Sequence, residues 1–452
     1  MLLLHMVIAV IIVLFLVIRL KWSPVFGLVL GALYFGIASG QGALKTASLL
    51  AAGFGNVMTG IGLVVGFGVI IGQLLADSGA VKSIVRSLLR LFSPKKAPEA
   101  LCATSLIVST PVFFDVGFII LAPIARRISK VIEENLAVMI APLIIGLGTA
   151  HMLIPPTPGP LVVADTLKVP LGQMIIGGFI VGVPGAFLAL FIYKIIAGKA
   201  GFWKPDDEEA VFEDELGTQA ESDNTSIQDL RLPSLGLSLL PILVPVVLIV
   251  LASIVPIIFG AEPGAAGQFL KFIGDRTIAM LIGAILALAV GYSTMDREKL
   301  SKSVDKALAS AGVVLLVTGA GGSLGAVLGG SNIGKELAGA MISYQMPAVI
   351  LAWITASVIK IAQGSGTVAI ITTANLMAPV AAQLGLPGVW LALAIGSGAL
   401  FGCHVNDSGF WVISKIAGLT TKGGFKTYTL ATAINAITTL IIISILMPFL
   451  FN

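Results

Sequence analysis

Apolar residues run through this chain in blocks of helix-spanning length, separated by short polar punctuation. Crossing roughly 30 Å of hydrocarbon takes about 20 apolar residues in a helix. On that ruler, spans are expected near 2–19, 24–40, 54–77, 171–197, 235–260, 277–293, 307–330 and 427–451. Four more apolar stretches, 98–127, 136–168, 347–381 and 387–416, carry Gly, Pro, Ser, Thr or a charge at their middles and do not read as simple spans. Between them, 199–233 holds ten acidic residues (Asp206 to Glu209, Glu213 to Glu215, Glu221, Asp223 and Asp229) against three basic ones. That is the pattern of a solvated linker, here an acidic cytoplasmic one, joining two halves, 1–198 and 234–452.

The halves repeat. Gly66-Phe67-Gly68, followed by Leu74-Leu75-Ala76-Asp77-Ser78-Gly79, parallels Gly319-Ala320-Gly321, followed by Val327-Leu328-Gly329-Gly330-Ser331. Leu121-Ala122-Pro123 parallels Met377-Ala378-Pro379, and Gly146-Leu147-Gly148-Thr149-Ala150 parallels Gly396-Ser397-Gly398-Ala399-Leu400. Pro158-Gly159-Pro160 falls opposite Ser408-Gly409-Phe410. These matches keep their order at offsets of about 250 residues, as a duplicated unit with small indels would.

Composition settles the class. Of 452 residues, 57% are hydrophobic and 11% charged, and the mean hydropathy is +1.04; soluble domains carry about 25% charged residues. Too little polar surface exists for a cytosolic globular enzyme, a nucleic-acid binder or a disordered scaffold. Cys102 and Cys403 lie in apolar surroundings and suggest neither a disulfide framework nor a metal cluster. The 52 glycines and 22 prolines point to closely packed or broken helices. Residues 1–18 have no basic start and read as an uncleaved first span.

Basic residues set the orientation. Arg19 and Lys21 follow the first span, which puts the N-terminus outside. Lys82, Arg86, Arg90, Lys95 and Lys96 precede 98–127, and Arg126, Arg127 and Lys130 follow it. Both flanks therefore belong inside, and 98–127 is expected to be a re-entrant hairpin; its counterpart 347–381 then opens outward. This layout puts 21 of the 27 Lys and Arg inside, with Lys45, Lys168, Lys271, Arg276 and Lys335 outside and Lys360 within the membrane. The expected fold is an all-α polytopic membrane protein, an inverted repeat of ten crossings and two opposed hairpins, with both termini periplasmic.

Broken helices at membrane depth must be buried or line a wet cavity, so the chemistry is expected at four breaks. These are Ser109-Thr110 through Asp115, Thr149-Ala150-His151 through Thr157 and Gly159, Gln363-Gly364-Ser365-Gly366-Thr367, and Gly402 through His404, Asn406, Asp407 and Ser408. Half-helix N-termini suit an anion such as a carboxylate, and the Ser, Thr, Asn and Gln side chains suit hydroxyl groups. Asp115, Asp407 and Lys360 are the deepest ionisable residues, each costing about 2.5–3.5 kcal/mol on insertion scales. Either Asp is a candidate proton carrier or a cap on its half-helix; Lys360 either binds the anion or pairs with one of these acids. His151 and His404 are candidate proton relays or hydrogen-bonded structural groups. No third ligand falls at metal spacing, and no cofactor is expected.

Three soluble-enzyme motifs dissolve on inspection. Gly321-Gly322-Ser323-Leu324-Gly325 fits the serine nucleophile pattern, but its repeat partner Gly68 to Gly72 keeps both glycines without the serine, as helix packing would. Gly329 to Lys335 resembles a P-loop with Glu336 where Ser or Thr is required. Gly66-Phe67-Gly68 opens no strand-to-helix turn. With no ATP motif, an ion gradient is left as the driving force.

At its breaks the chain resembles the gluconate permease family of gluconate:proton symporters (GntP-type), within the wider ion transporter superfamily. The residues that carry the likeness are Pro111 to Phe118, Ile154 to Pro160, Gln363 to Ala369 and His404 to Trp411. The resemblance implies import of gluconate or a related sugar acid with protons, across a bacterial inner membrane. Some relatives are thought to carry D-serine or other small hydroxy acids. It also implies an elevator-type carrier and a homodimer. A sodium-coupled organic-anion carrier is the alternative, with oxygen-rich breaks at Thr149, Thr157, Ser365 and Asn406; an intramembrane serine hydrolase using Ser323 is a remote one.

Overall fold

The computed structural model describes residues 1–89, 96–110, 113–209, 232–259, 264–333, 336, 339, 347–384, 387–405 and 407–450. Among them the named elements are all helices. Among the described residues seven apolar helical stretches are long enough to cross a membrane: Ala43–Asp77, Leu136–Thr166, Leu171–Ala197, Leu235–Ala252, Arg276–Thr294, Arg297–Gly329 and Thr421–Leu446. Shorter apolar helices include α1 (Leu2–Leu14), which runs into a π-turn at Phe15–Arg19, and α2 (Pro24–Ala38).

Two long helices form the spine. α3 spans Ala43–Asp77, and α13 spans Arg297–Gly329. They cross where Gly53 and Gly322 let backbone meet backbone: a Cβ on Gly53 would lie 2.3 Å from the Gly322 carbonyl oxygen. Ser323 Oγ donates to the Leu50 carbonyl at 2.7 Å, so the serine of the G-x-S-x-G pattern is part of this packing. Both helices start earlier than the expected spans at 54 and 307, because their first turns are polar and continue the helix beyond the apolar block.

After an amphipathic α4 (Ala80–Leu89), the four irregular stretches appear as pairs of helices. They are α5 (Ala97–Ser109) with α6 (Phe114–Val131), and α7 (Leu136–Leu153) with α8 (Pro158–Thr166). α9 is Leu171–Ala197. In the second half come α10 (Leu235–Phe259), α11 (Ala265–Ile273) and α12 (Arg276–Thr294), the last capped by Asp275, whose carboxylate accepts from the Thr277 and Ile278 N–H groups. Then follow α14 (Ala348–Gln363) with α15 (Gly366–Leu384), α16 (Gly388–Gly398) with α17 (Ser408–Ala417), and α18 (Leu430–Leu446).

Helices that are apolar all round belong in the centre. α7 is buried along nearly its whole length, as is α16 from Val389 to Gly398. Around them, α5 and α6 pack on α7, and α14 and α15 pack on α16. Across the halves, α8 lies on α15 and α6 on α17. Because the partly polar half-helices are wrapped this way, their breaks face one another.

The linker departs from expectation in its described part. An acid run suggests solvation, yet Asp207 is fully buried. It finds Lys426 Nζ at 2.6 Å and Lys422 Nζ at 3.9 Å, while Thr420 N–H donates to the Asp207 carbonyl at 3.0 Å. Residues 202–209 thus form a strap docked on the turn between α17 and α18.

Candidate functional site

The second half supplies the densest polar cluster. α14 ends where Gly364 adopts φ 83°, a left-handed conformation that glycine takes without a Cβ clash. Lys360 on the last turn curls back, donating to the Gly364 carbonyl and to Asp407 Oδ2 at 2.5 Å. Asp407 caps α17: its Oδ1 accepts from Gly409 N–H at 2.8 Å. Tyr428, on the π-turn entering α18, donates its hydroxyl to Asp407 Oδ2 at 2.8 Å. Lys360 is 2% exposed and Asp407 8%. A buried ion pair needs its remaining valences filled by hydrogen bonds, and this one has them. Asp407 is thus both the cap of α17 and the counterion of Lys360.

Asp115 is built differently. It sits in the first turn of α6, exposed, and forms no ion pair or hydrogen bond among the described residues. It lies within electrostatic reach of Asp407 and Lys360. Phe114 beside it approaches the Tyr428 ring at 6.1 Å, so the start of α6 meets the Asp407 cluster. His151, at the end of α7, is buried, its Nδ1 without a hydrogen-bond partner among the described residues, within reach of Lys360 and 6.1 Å from the Phe113 ring.

The other breaks come to the same place. Thr157 Oγ1 closes the turn between α7 and α8 by donating to the His151 carbonyl at 3.0 Å and to Ile154 at 2.8 Å. A Cβ on Gly159 would touch Ile370 Cδ1 at 2.8 Å, and one on Gly366 would meet Met152 Sδ at 2.9 Å, so the start of α15 abuts both arms of the first broken helix. Ser365 Oγ accepts from Val368 N–H at 3.4 Å, and Thr367 is half-buried beside it. Thr110 Oγ1 donates to Leu106, and Ser109 is buried at the end of α5. His404 Nε2 donates to the Ile361 carbonyl at 3.1 Å.

One predicted residue stands apart. The Thr149 hydroxyl donates to Ile145 and accepts from Asn435 Nδ2 at 2.9 Å, which draws it into the packing of α7 against α18. Asn406 lies outside the described residues, as do the side chains of Gln363 and Ser408. Sequence reasoning missed Tyr428, which looks like an ordinary residue opening the last span. The only cue was a hydroxyl and Lys426 at the start of an apolar run. Among the described residues no group of three His, Cys, Asp or Glu is placed to hold a metal ion.

This arrangement can hold an anion at helix N-termini that carry no acid of their own and keep titratable carboxyls beside it. The chain matches the GntP family permease over residues 1–449. It is 34% identical over 422 residues to an uncharacterised permease of Haemophilus influenzae, covering 92% of this chain and 85% of that one. It is 31% identical over 436 residues to the gluconate permease of Pseudomonas aeruginosa, covering 95% and 94%. The fold resembles the YdaH transporter of Alcanivorax borkumensis with a TM-score of 0.64 at 14% identity, over 94% of this chain and 98% of that one. The chain belongs to the GntP permease family and is a multi-pass membrane transporter, not an enzyme.

Proposed function

We propose that the protein imports a small hydroxy-carboxylate, gluconate or a related sugar acid, by proton symport across the bacterial inner membrane. One observation carries the reading: Asp115 stands open within reach of a fully satisfied Lys360–Asp407 pair, among four helix breaks. A relative named gluconate permease at 31% identity over nearly the whole chain supports the substrate class. The substrate carboxylate sits at the N-termini of α8 and α15, near Gly159, Gly364, Ser365 and Thr367, with Lys360 lending positive charge. Hydroxyls of the substrate engage Ser109, Thr110, Thr157, Gln363, Asn406 and Ser408. Asp115 takes the proton, with His151 at the end of α7 as a second candidate carrier.

We read the architecture as an inverted repeat, 1–198 against 234–452, with ten crossings and hairpins at 98–127 and 347–381. Matched contacts support this: α6 lies on α17 as α15 lies on α8. Glu99 at the start of α5 pairs with Lys194 at the end of α9 at 2.6 Å, and Arg126 near the end of α6 donates to the Ala417 carbonyl at 2.7 Å. These anchors, with the strap at 202–209, argue that 98–127 enters and leaves from one side, the cytoplasmic side by charge. Both termini are then periplasmic, and the break-bearing helices move against α3 and α13 as an elevator within a homodimer.

Proteoliposomes test the coupling. An inward pH gradient should drive gluconate accumulation without sodium. Uptake that ignores the pH gradient and requires sodium would overturn proton symport and favour the sodium-coupled alternative.

A further inference from the structure

At the end of the molecule bearing the strap, a cavity of about 360 Å³ opens between the last turn of α3, the start of α4 and the first turns of α13. Lys82 comes to it from α4, and Lys299, Lys302 and Lys306 from α13. Its one lining acid, Asp77, already accepts from Ser303 Oγ and Gln73 Nε2, both at 2.7 Å. Lys302 pairs with Glu298 at 2.6 Å and Lys299 with Asp296 at 3.6 Å, in exposed intrahelical contacts that contribute little. Lys82 and Lys306 have no carboxylate partner among the described residues. With Lys299 and Lys302 held only by exposed carboxylates and Asp77 already engaged, Lys82 and Lys306 leave the cavity positive, and a phosphate group is the anion whose size and acceptor number suit several lysines.

We propose that this cavity binds a phosphate-bearing anion, the headgroup of an anionic phospholipid. The lipid source follows from position. The cavity lies at the ends of two spanning helices, on the side that the basic loops place in the cytoplasm, where anionic headgroups gather around Lys and Arg. α4, which forms one wall, buries Ala80, Val81 and Ile84 while carrying Lys82 and Arg86, the pattern of a helix lying in the interface. A headgroup held between Lys82 and Lys306 would tie α4 to α13.

The test uses the full chain purified in detergent, with its melting temperature followed on adding phosphatidylglycerol, phosphatidylcholine or inorganic phosphate. Phosphatidylglycerol should raise the melting temperature well above the phosphatidylcholine value. In K82Q/K306Q that increment should fall to half or less, whereas K306R should keep it. Equal stabilisation by both lipids, or an increment unchanged in K82Q/K306Q, would overturn the site. If inorganic phosphate alone reproduces the full, lysine-dependent increment, the lipid as occupant is overturned and a free anion takes its place.

Discussion

Two pairs of half-helices meet at the breaks, and they differ in where their acids are. α6 and α17, packed on one another, bring Asp115 in the first turn and Asp407 at the cap. α8 and α15, also packed together, bring no acid to their first turns. A helix N-terminus carries roughly half a positive charge, so an acid placed there answers that charge from within the protein. The acid-bearing pair is electrostatically self-contained, whereas the field of the acid-free pair is not answered by an acid of its own. Lys360 joins the two, reaching Asp407 at the head of α17 and the Gly364 carbonyl just ahead of α15. On the function proposed above, proton handling and anion handling fall to neighbouring but separate N-termini.

The largest effect should come from cutting that joint. Lys360→Ala leaves Asp407 buried without its counterion, which costs about 3–5 kcal/mol, and little folded protein should survive detergent extraction. Removing both charges in K360Q/D407N should recover most of the melting temperature without recovering uptake. Equal damage in the single and double variants would mean that the pair does not hold the two sides together.

Asp115→Asn comes next. With a neutral, shape-matched side chain at an exposed position, the fold should be unchanged, pH-driven accumulation lost and substrate exchange retained. Full accumulation in this variant would move the proton to another group. The reciprocal change puts an acid on the acid-free pair. In Thr367→Asp the new carboxylate opposes a bound anion by up to about 4 kcal/mol at 4 Å and an effective dielectric of 20, so apparent affinity should weaken by up to about a thousandfold. An unaltered affinity would remove α15 from the anion site. Tyr428→Phe withdraws one of three hydrogen-bonded partners from Asp407 and should lower stability by about 1.5 kcal/mol, read from chemical denaturation.

The division between the pairs was only partly legible in the sequence. The breaks could be read because Gly, Pro, Ser and Thr interrupt apolar runs, and lipid leaves bare backbone nowhere to go. Asp115 and Lys360 stood out by the cost of charge at depth. Which acid Lys360 would choose could not be read, because Asp407 is 47 residues away and the choice depends on how α14 meets α17. Tyr428 was hidden because a tyrosine opening a span looks like an interface anchor. The strap was hidden for the opposite reason: Asp207 sits in an acid run that reads as solvated, and its lysine lies 219 residues further on.

That strap gives the smallest effect, and it asks whether the acid-bearing pair is braced from outside. Lys426, held by the Phe202 carbonyl and the Asp207 carboxylate, lies two residues before Tyr428, which holds Asp407. Burial pushes the Asp207 carboxyl up, but the Lys426 hydrogen bond, the Lys204 N–H and the charges of Lys426 and Lys422 outweigh it, so the carboxyl titrates below its ordinary 3.8. A carboxylate depressed on folding stabilises the folded state above its unfolded value, and the contribution is lost as pH falls through the lower, folded one. Asp207→Asn should therefore melt below the wild type by a constant margin at neutral and mildly acid pH. That margin should shrink only below about pH 4, as the wild-type carboxyl takes up its proton and the strap loosens from Lys426. Equal margins at pH 7 and pH 3 would show that the buried carboxylate's charge does not hold the strap, and the brace on Tyr428 would then rest on backbone contacts such as Thr420 N–H to Asp207 alone.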